Sequence, residues 1–200
     1  MSDKVTLIGC GIFQEEVEHV LKEMGVEDVE IIWQEVGLHD NIEKLEEVLS
    51  GETDKAREKD STARVGLLYG MACLPTMKEF AAARGLKVLG PRNCIAAMVG
   101  DAKLKELEQA RTLVATPGWL RKMWLGRTGT ASGWQVDDYR INFGRYDRIL
   151  MLDSGINPLT DEEIITCYDL VQVPIEVMEI NLDYFWKVFK DLIESVKEAG

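Results

Sequence analysis

Val5-Thr6-Leu7-Ile8-Gly9-Cys10-Gly11-Ile12-Phe13 decides the fold class. Val5, Leu7 and Ile8 make a short apolar run, too brief for a helix and closed by the turn-forming Gly9-Cys10-Gly11, which reads as a buried strand and a tight turn. Behind it Val17, Val20, Leu21 and Met24 recur at helical spacing, with Glu15, Glu16, Glu18 and Lys22 on the opposite, solvated side. Gly25 ends that helix as a C-terminal cap. The unit is therefore strand, turn, helix.

The same unit recurs along the chain. Val29 to Trp33 is a second strand, leaving through Gly37-Leu38-His39-Asp40, and Ile42, Leu45, Val48 and Leu49 form the next helix. Arg64 to Tyr69 is a third strand, closed by Gly70-Met71-Ala72-Cys73, with Pro75 placed to open a helix. Leu86 to Leu89 is a fourth, leaving through Gly90-Pro91-Arg92-Asn93-Cys94, with a helix from about Ile95. Arg111 to Ala115 is a fifth, followed by Thr116-Pro117-Gly118-Trp119, and Arg148 to Leu152 a sixth, followed by Asp153-Ser154-Gly155. An amphipathic helix through Phe185, Val188, Phe189, Leu192, Ile193 and Val196 closes the chain. Strands alternating with helices imply parallel pairing with right-handed crossovers. The expected fold is a doubly wound, mainly parallel three-layer α/β sandwich of Rossmann-like type, with residues 1–200 as a single domain. The polar, glycine-rich stretch 126–144 reads as its one long loop.

Composition narrows the function. The net charge of −12 argues against nucleic acid, whose binding is driven by Lys and Arg. No apolar run reaches the length of about 20 residues that a membrane helix needs, and the start of the chain lacks the flanks of a signal peptide. A cytoplasmic location is expected, where Cys10, Cys73, Cys94 and Cys167 stay reduced.

In open α/β sheets, ligands bind beyond the carboxyl ends of the strands. Cys10, His39, Cys73 and Cys94 fall in four successive turns of that kind. Thiolate and imidazole are ligands of zinc and, with iron–sulfur clusters, of iron, so these four residues are the expected metal ligands. No CxxC pair is present, and a free cysteine is more often a small buried hydrophobe. A metal-free alternative uses the same residues. Cys10 or Cys94 at a helix N-terminus would have a lowered pKa and act as nucleophile, with His39 as base and Arg92 holding a small anionic substrate. Gly11, Tyr69, Gly70 and Trp119 are the further residues expected to contact a bound group. The glycines around Cys10 fit neither a dinucleotide fingerprint nor a P-loop. Cys167 reads as core and His19 as surface.

Cys10-Gly11-Ile12-Phe13 with Glu16, Gly37-Leu38-His39, Tyr69-Gly70 with Cys73, Pro91-Arg92 with Cys94-Ile95, Thr116-Pro117-Gly118-Trp119, and Tyr146-Asp147-Arg148 with Asp153-Ser154-Gly155 occur in an order that resembles the family called domain of unknown function 1638. That resemblance spans most of the chain. It implies an α/β fold and an association with corrinoid-dependent methyl transfer in anaerobes, and it supplies no reaction. The resulting expectation is a metal- or iron–sulfur-binding protein of anaerobic one-carbon metabolism, with a small-molecule substrate, or with a corrinoid or methyltransferase protein as partner and the corrinoid carried by that partner. A third reading is an accessory protein whose acidic surface docks such a partner.

Overall fold

The structure is a computed structural model that describes residues 4–128 and 134–199. In chain order the elements are β1 (Val5–Cys10), α1 (Gln14–Met24), β2 (Val29–Gln34), α2 (Ile42–Lys59), β3 (Arg64–Leu68), α3 (Met77–Ala83), β4 (Lys87–Val88), α4 (Cys94–Val99) and α5 (Asp101–Leu107). They continue with β5 (Thr112–Ala115), the short α6 (Pro117–Trp119), a wider π-type turn (Leu120–Leu125), α7 (Val136–Phe143), β6 (Arg148–Asp153), α8 (Asp161–Val171), β7 (Ile175–Glu179) and α9 (Asp183–Glu198).

Every strand pairs in parallel, and the fold is doubly wound α/β. The strands are shared between two sheets, in the orders β2-β1-β3-β4 and β5-β6-β7. The chain correspondingly forms two compact units, Met1–Met98 with Asp183–Gly200, and Val99–Leu182.

In the first unit β1 is central and fully buried, as its apolar run requires. The β1–β2 and β2–β3 connections run in opposite directions from it, so right-handed crossovers put α1 and α2 on opposite faces. Gly25 caps α1 in the left-handed conformation at φ 61°, and Asn41 caps α2 by accepting the Lys44 N–H at 3.0 Å. Helix α9 lies over β1, β3 and β4 and buries Phe185, Phe189, Leu192, Ile193 and Val196. Each such side chain contributes about 1.5–3 kcal/mol. The close approach needs Gly66: a Cβ there would stand 2.6 Å from Val196. Phe13, Phe185 and Phe189 stack in succession, with centroids 5.7 and 6.0 Å apart.

In the second unit Ile149 and Met151 of β6 face a core completed by Trp124, Tyr139, Leu159, Cys167 and Leu170. Thr160 and Glu163 cap α8 reciprocally, and Glu163 also holds Arg121 through two hydrogen bonds of 2.7 and 2.8 Å.

Several local expectations are corrected. The stretch 126–144 is not one long loop, because residues 136–143 are helix α7, and 129–133 lie outside the described residues. Glu16 is 7% exposed rather than solvated; it is the third residue of α1, where a helix N-terminus favours a carboxylate. Pro75 precedes the Thr76 N-cap of α3 instead of entering the helix. Strand β7 is additional to the six strands expected.

Candidate functional site

Parallel strands bring all their exits to one edge of a sheet. In the first unit Cys10 ends β1, His39 sits in the 3₁₀ turn after β2, Cys73 in the turn after β3, and Cys94 begins α4 after β4.

Two of these residues, Cys73 and Cys94, are drawn together by a pair of loops. Two backbone hydrogen bonds join the β3 exit to the β4 exit, from the Met71 N–H to the Pro91 carbonyl at 3.1 Å and from the Ala72 N–H to the Arg92 carbonyl at 2.7 Å. Gly70 makes this possible, since a Cβ there would stand 2.4 Å from the Asn93 Cα and 2.6 Å from the Arg92 carbonyl oxygen. Cys73 closes the first loop by donating its N–H to the Gly70 carbonyl at 3.0 Å. Asn93 starts α4 by accepting the Ala96 N–H on its side chain at 2.8 Å and the Ala97 N–H on its carbonyl at 3.0 Å. Cys94 is thereby fixed at the first helical position.

The Cys10, Cys73 and Cys94 thiols lie within electrostatic reach of one another. Burial pushes the Cys73 thiol up to about 11, against a lowering contribution from the Gly70 backbone, and Cys10 raises it further. Burial pushes the Cys94 thiol up to about 12, with Cys73 and Cys10 adding to the rise. The expectation of a lowered Cys94 pKa at a helix start is therefore overturned: a six-residue helix offers a small dipole, and desolvation of the thiolate outweighs it.

Tyr69 completes the cluster. The β1–β3 register ends with Gly9 opposite Leu68, and Tyr69 is the next residue, within electrostatic reach of Cys10 and Cys73. The Tyr69 side chain is 1% exposed, and among the described residues its hydroxyl has no hydrogen-bond partner. Burial raises its pKa, and both Cys10 and Cys73 raise it further.

The remaining expected residues have other surroundings. His39 is exposed and faces Asp40 at 3.6 Å. Gly11 is buried under the β2 exit, where a Cβ would stand 3.0 Å from the Gln34 carbonyl oxygen. Arg92 is half-buried and joins the site through its backbone carbonyl. Trp119 belongs to the second unit, with its ring edge-on to Trp124 and Phe143 at 5.7 and 6.2 Å, and Thr116 accepts its N–H at 3.2 Å. Cys167 is fully buried in that unit's core, as expected. Asn93 was not singled out from the sequence, although an asparagine just before a helical run is a recognisable N-cap signal. Among the described residues, no three His, Cys, Asp or Glu side chains stand close enough to grip a metal ion as they are. No helix there is long and apolar enough to cross a membrane.

Fold and site together define a parallel α/β protein with one buried and two half-buried cysteines at the carboxyl edge of one sheet. The chain belongs to the family described as Protein of unknown function (DUF1638), whose model matches residues 33–189. The matched span contains Cys73, Arg92 and Cys94 and begins after Cys10. No curated protein and no solved structure matches the chain.

Proposed function

We propose that the chain is a metal- or iron–sulfur-binding protein in which Cys10, Cys73 and Cys94 are the thiolate ligands. The observation that carries this reading is the convergence of three thiols, one buried and two half-buried, from three separate strand exits, two of which are joined by the Gly70–Asn93 loop contact. Three thiolates within electrostatic reach would repel one another, and a soft cation is what would make their joint deprotonation favourable. The donor set suits zinc or an iron–sulfur cluster. Binding would draw the sulfurs together and release their protons. His39, exposed and turned to Asp40, is assigned no ligand role.

The metal-free transferase reading is weaker. Cys73 and Cys94 are pushed to about 11 and 12, which leaves little thiolate at neutral pH, and His39 faces Asp40 instead of a thiol. Service in corrinoid-dependent methyl transfer, beside a corrinoid or methyltransferase protein, is the setting that the family resemblance suggests for such a centre.

The test is iron, zinc, cobalt and nickel per chain after purification without oxygen, with an absorption spectrum. The parent should carry near-stoichiometric metal, Cys10→Ser and Cys94→Ser should lose most of it, and Cys167→Ser should keep it. Metal-free parent protein, or full retention in both site variants, would remove the proposal. Co-purification of a methyltransferase or corrinoid protein with metal-free parent would instead favour an accessory role.

A further inference from the structure

We infer that the outer edge of β2 is a homodimer interface, at which two copies of the chain pair their β2 strands antiparallel about a two-fold axis at Ile31. The inference rests on the backbone of the first unit and is independent of the thiols.

Strand β2 ends the order β2-β1-β3-β4, and it is the longest of the strands that end a sheet. It has six residues, against two in β4, four in β5 and five in β7. Sheet edges are ordinarily blunted by brevity, charge or proline. Strand β7 presents the exposed Glu176 and Glu179. Strand β2, Val-Glu-Ile-Ile-Trp-Gln, has no proline and a single charge, Glu30, whose carboxylate Lys4 and Lys59 hold at 2.6 and 3.5 Å. This edge is not defended.

The register shows which backbone groups it offers. Val5 stands opposite Val29 and donates its N–H to the Asp28 carbonyl at 2.8 Å. A parallel ladder repeats every two residues, so Glu30, Ile32 and Gln34 turn their backbone groups toward β1, and Val29, Ile31 and Trp33 turn theirs away. Among the described residues, no backbone hydrogen bond reaches those outward groups.

The outward groups are spaced symmetrically about Ile31, so an identical strand run antiparallel matches them without remainder. Ile31 then faces Ile31 of the second copy and Val29 faces Trp33, and each such pair exchanges both of its hydrogen bonds. Ile31 and Trp33 share a face, since both reach the space that a Cβ on Gly9 would occupy. Their cross-strand pairs are of the β-branched and aromatic kinds that stabilise sheets. On the other face Ile32 meets Glu30, already held by its lysines. Beyond the strand ends Glu27 meets Glu35, and each chain carries a net charge of −12, so salt should tighten the dimer by screening. The product is one continuous sheet, β4-β3-β1-β2 running into β2-β1-β3-β4 of the second copy.

The experiment uses the full chain, with sedimentation equilibrium over a range of concentrations and amide hydrogen exchange read by NMR. The parent should pass from monomer to dimer as concentration rises, more readily with added NaCl. The Val29, Ile31 and Trp33 amides should become protected in step. Ile31→Pro removes the central donor from both copies and spares the bonds to β1, a change that sheet edges tolerate. It should weaken the dimer roughly 5- to 150-fold, the worth of two net hydrogen bonds. A parent that stays monomeric at every concentration would overturn the inference. So would a dimer whose three amides exchange as fast as in the monomer, because another surface would then be the interface. Protection independent of concentration would mean that a different segment covers the edge, and would overturn it too. An Ile31→Pro protein that dimerises like the parent counts against it equally. Should that variant fail to fold, the concentration dependence of the parent's three amides carries the decision.

Discussion

Gly70 lies so close to Asn93 that a single added carbon would stand 2.4 Å from the Asn93 Cα. That contact is backbone on backbone, so no side chain can swing aside to relieve it. Gly70→Ala should therefore separate the β3 and β4 exits and destabilise the first unit by about 1–3 kcal/mol, as overpacked sites do. Urea unfolding measures the loss, and metal uptake should fall with it. A variant as stable as the parent would show that the two loops are not locked together.

The raised thiols give a second expectation. Cys73 and Cys94 have folded pKa values of about 11 and 12 against an ordinary 9.0, so the folded state holds their protons more tightly than the unfolded one. Their contribution to stability is complete below about pH 9 and is lost as pH rises through the folded values. Metal-free protein should react slowly with iodoacetamide at both cysteines at neutral pH, and accelerate only in strong alkali. Rapid labelling of Cys94 at pH 7 would contradict this and revive the nucleophile reading.

Arg121 and Glu163 give the opposite sign. The Arg121 guanidinium, with Thr160, holds the Glu163 carboxyl at about 2 against an ordinary 4.5. A depressed acid stabilises the fold above its unfolded pKa and loses that contribution as pH falls through the folded value. Solvent screens this partly exposed pair, so the contribution is about 1 kcal/mol. Glu163→Gln should lower the unfolding midpoint at pH 7, and the gap from the parent should narrow between about pH 4.5 and pH 2. A gap that stays constant with pH would mean that the cap, not the ion pair, carries the effect.

Cys167 is fully buried in the second unit. Cys167→Ser places a hydroxyl in apolar packing and should cost about 1–3 kcal/mol unless it finds an acceptor. Thermal unfolding checks it against the metal content, which should not change.

The strand-to-helix alternation was readable because a run such as Val5 to Ile8, closed by Gly9-Cys10-Gly11, allows few other conformations. Which strands share a sheet was not. Periodicity reports the face a residue occupies and says nothing of its neighbour, so the division into β2-β1-β3-β4 and β5-β6-β7 had no sequence signal. Helix α7 was hidden by its polarity, although Asp138 reaching back to the Gln135 N–H at 2.7 Å is a capping pattern that the spacing does display. Strand β7 had a fair signal in Ile175 and Val177 after Pro174, and its brevity masked it.

At the site, Cys10, Cys73 and Cys94 were legible as strand-exit residues because topology alone brings such positions to one edge. Their environment was not. Whether a thiol at a helix start is acidified or desolvated depends on what packs over it, and that is set by the Gly70–Asn93 contact between segments about twenty residues apart. That the Tyr69 hydroxyl has no partner among the described residues is likewise a property of the assembled core.

The order of synthesis bears on how the thiol-bearing sheet is completed. Its four strands are made early, but α9, which covers β1, β3 and β4, is made only after residues 99–182. At ribosomal rates of about 5–20 residues per second, that interval is roughly 4 to 17 s. Throughout it the part of the nascent sheet that α9 will cover, with Leu7 and the bare backbone at Gly66, lacks that helix. In that interval the apolar positions that Phe185, Phe189, Leu192, Ile193 and Val196 will later cover are without those partners.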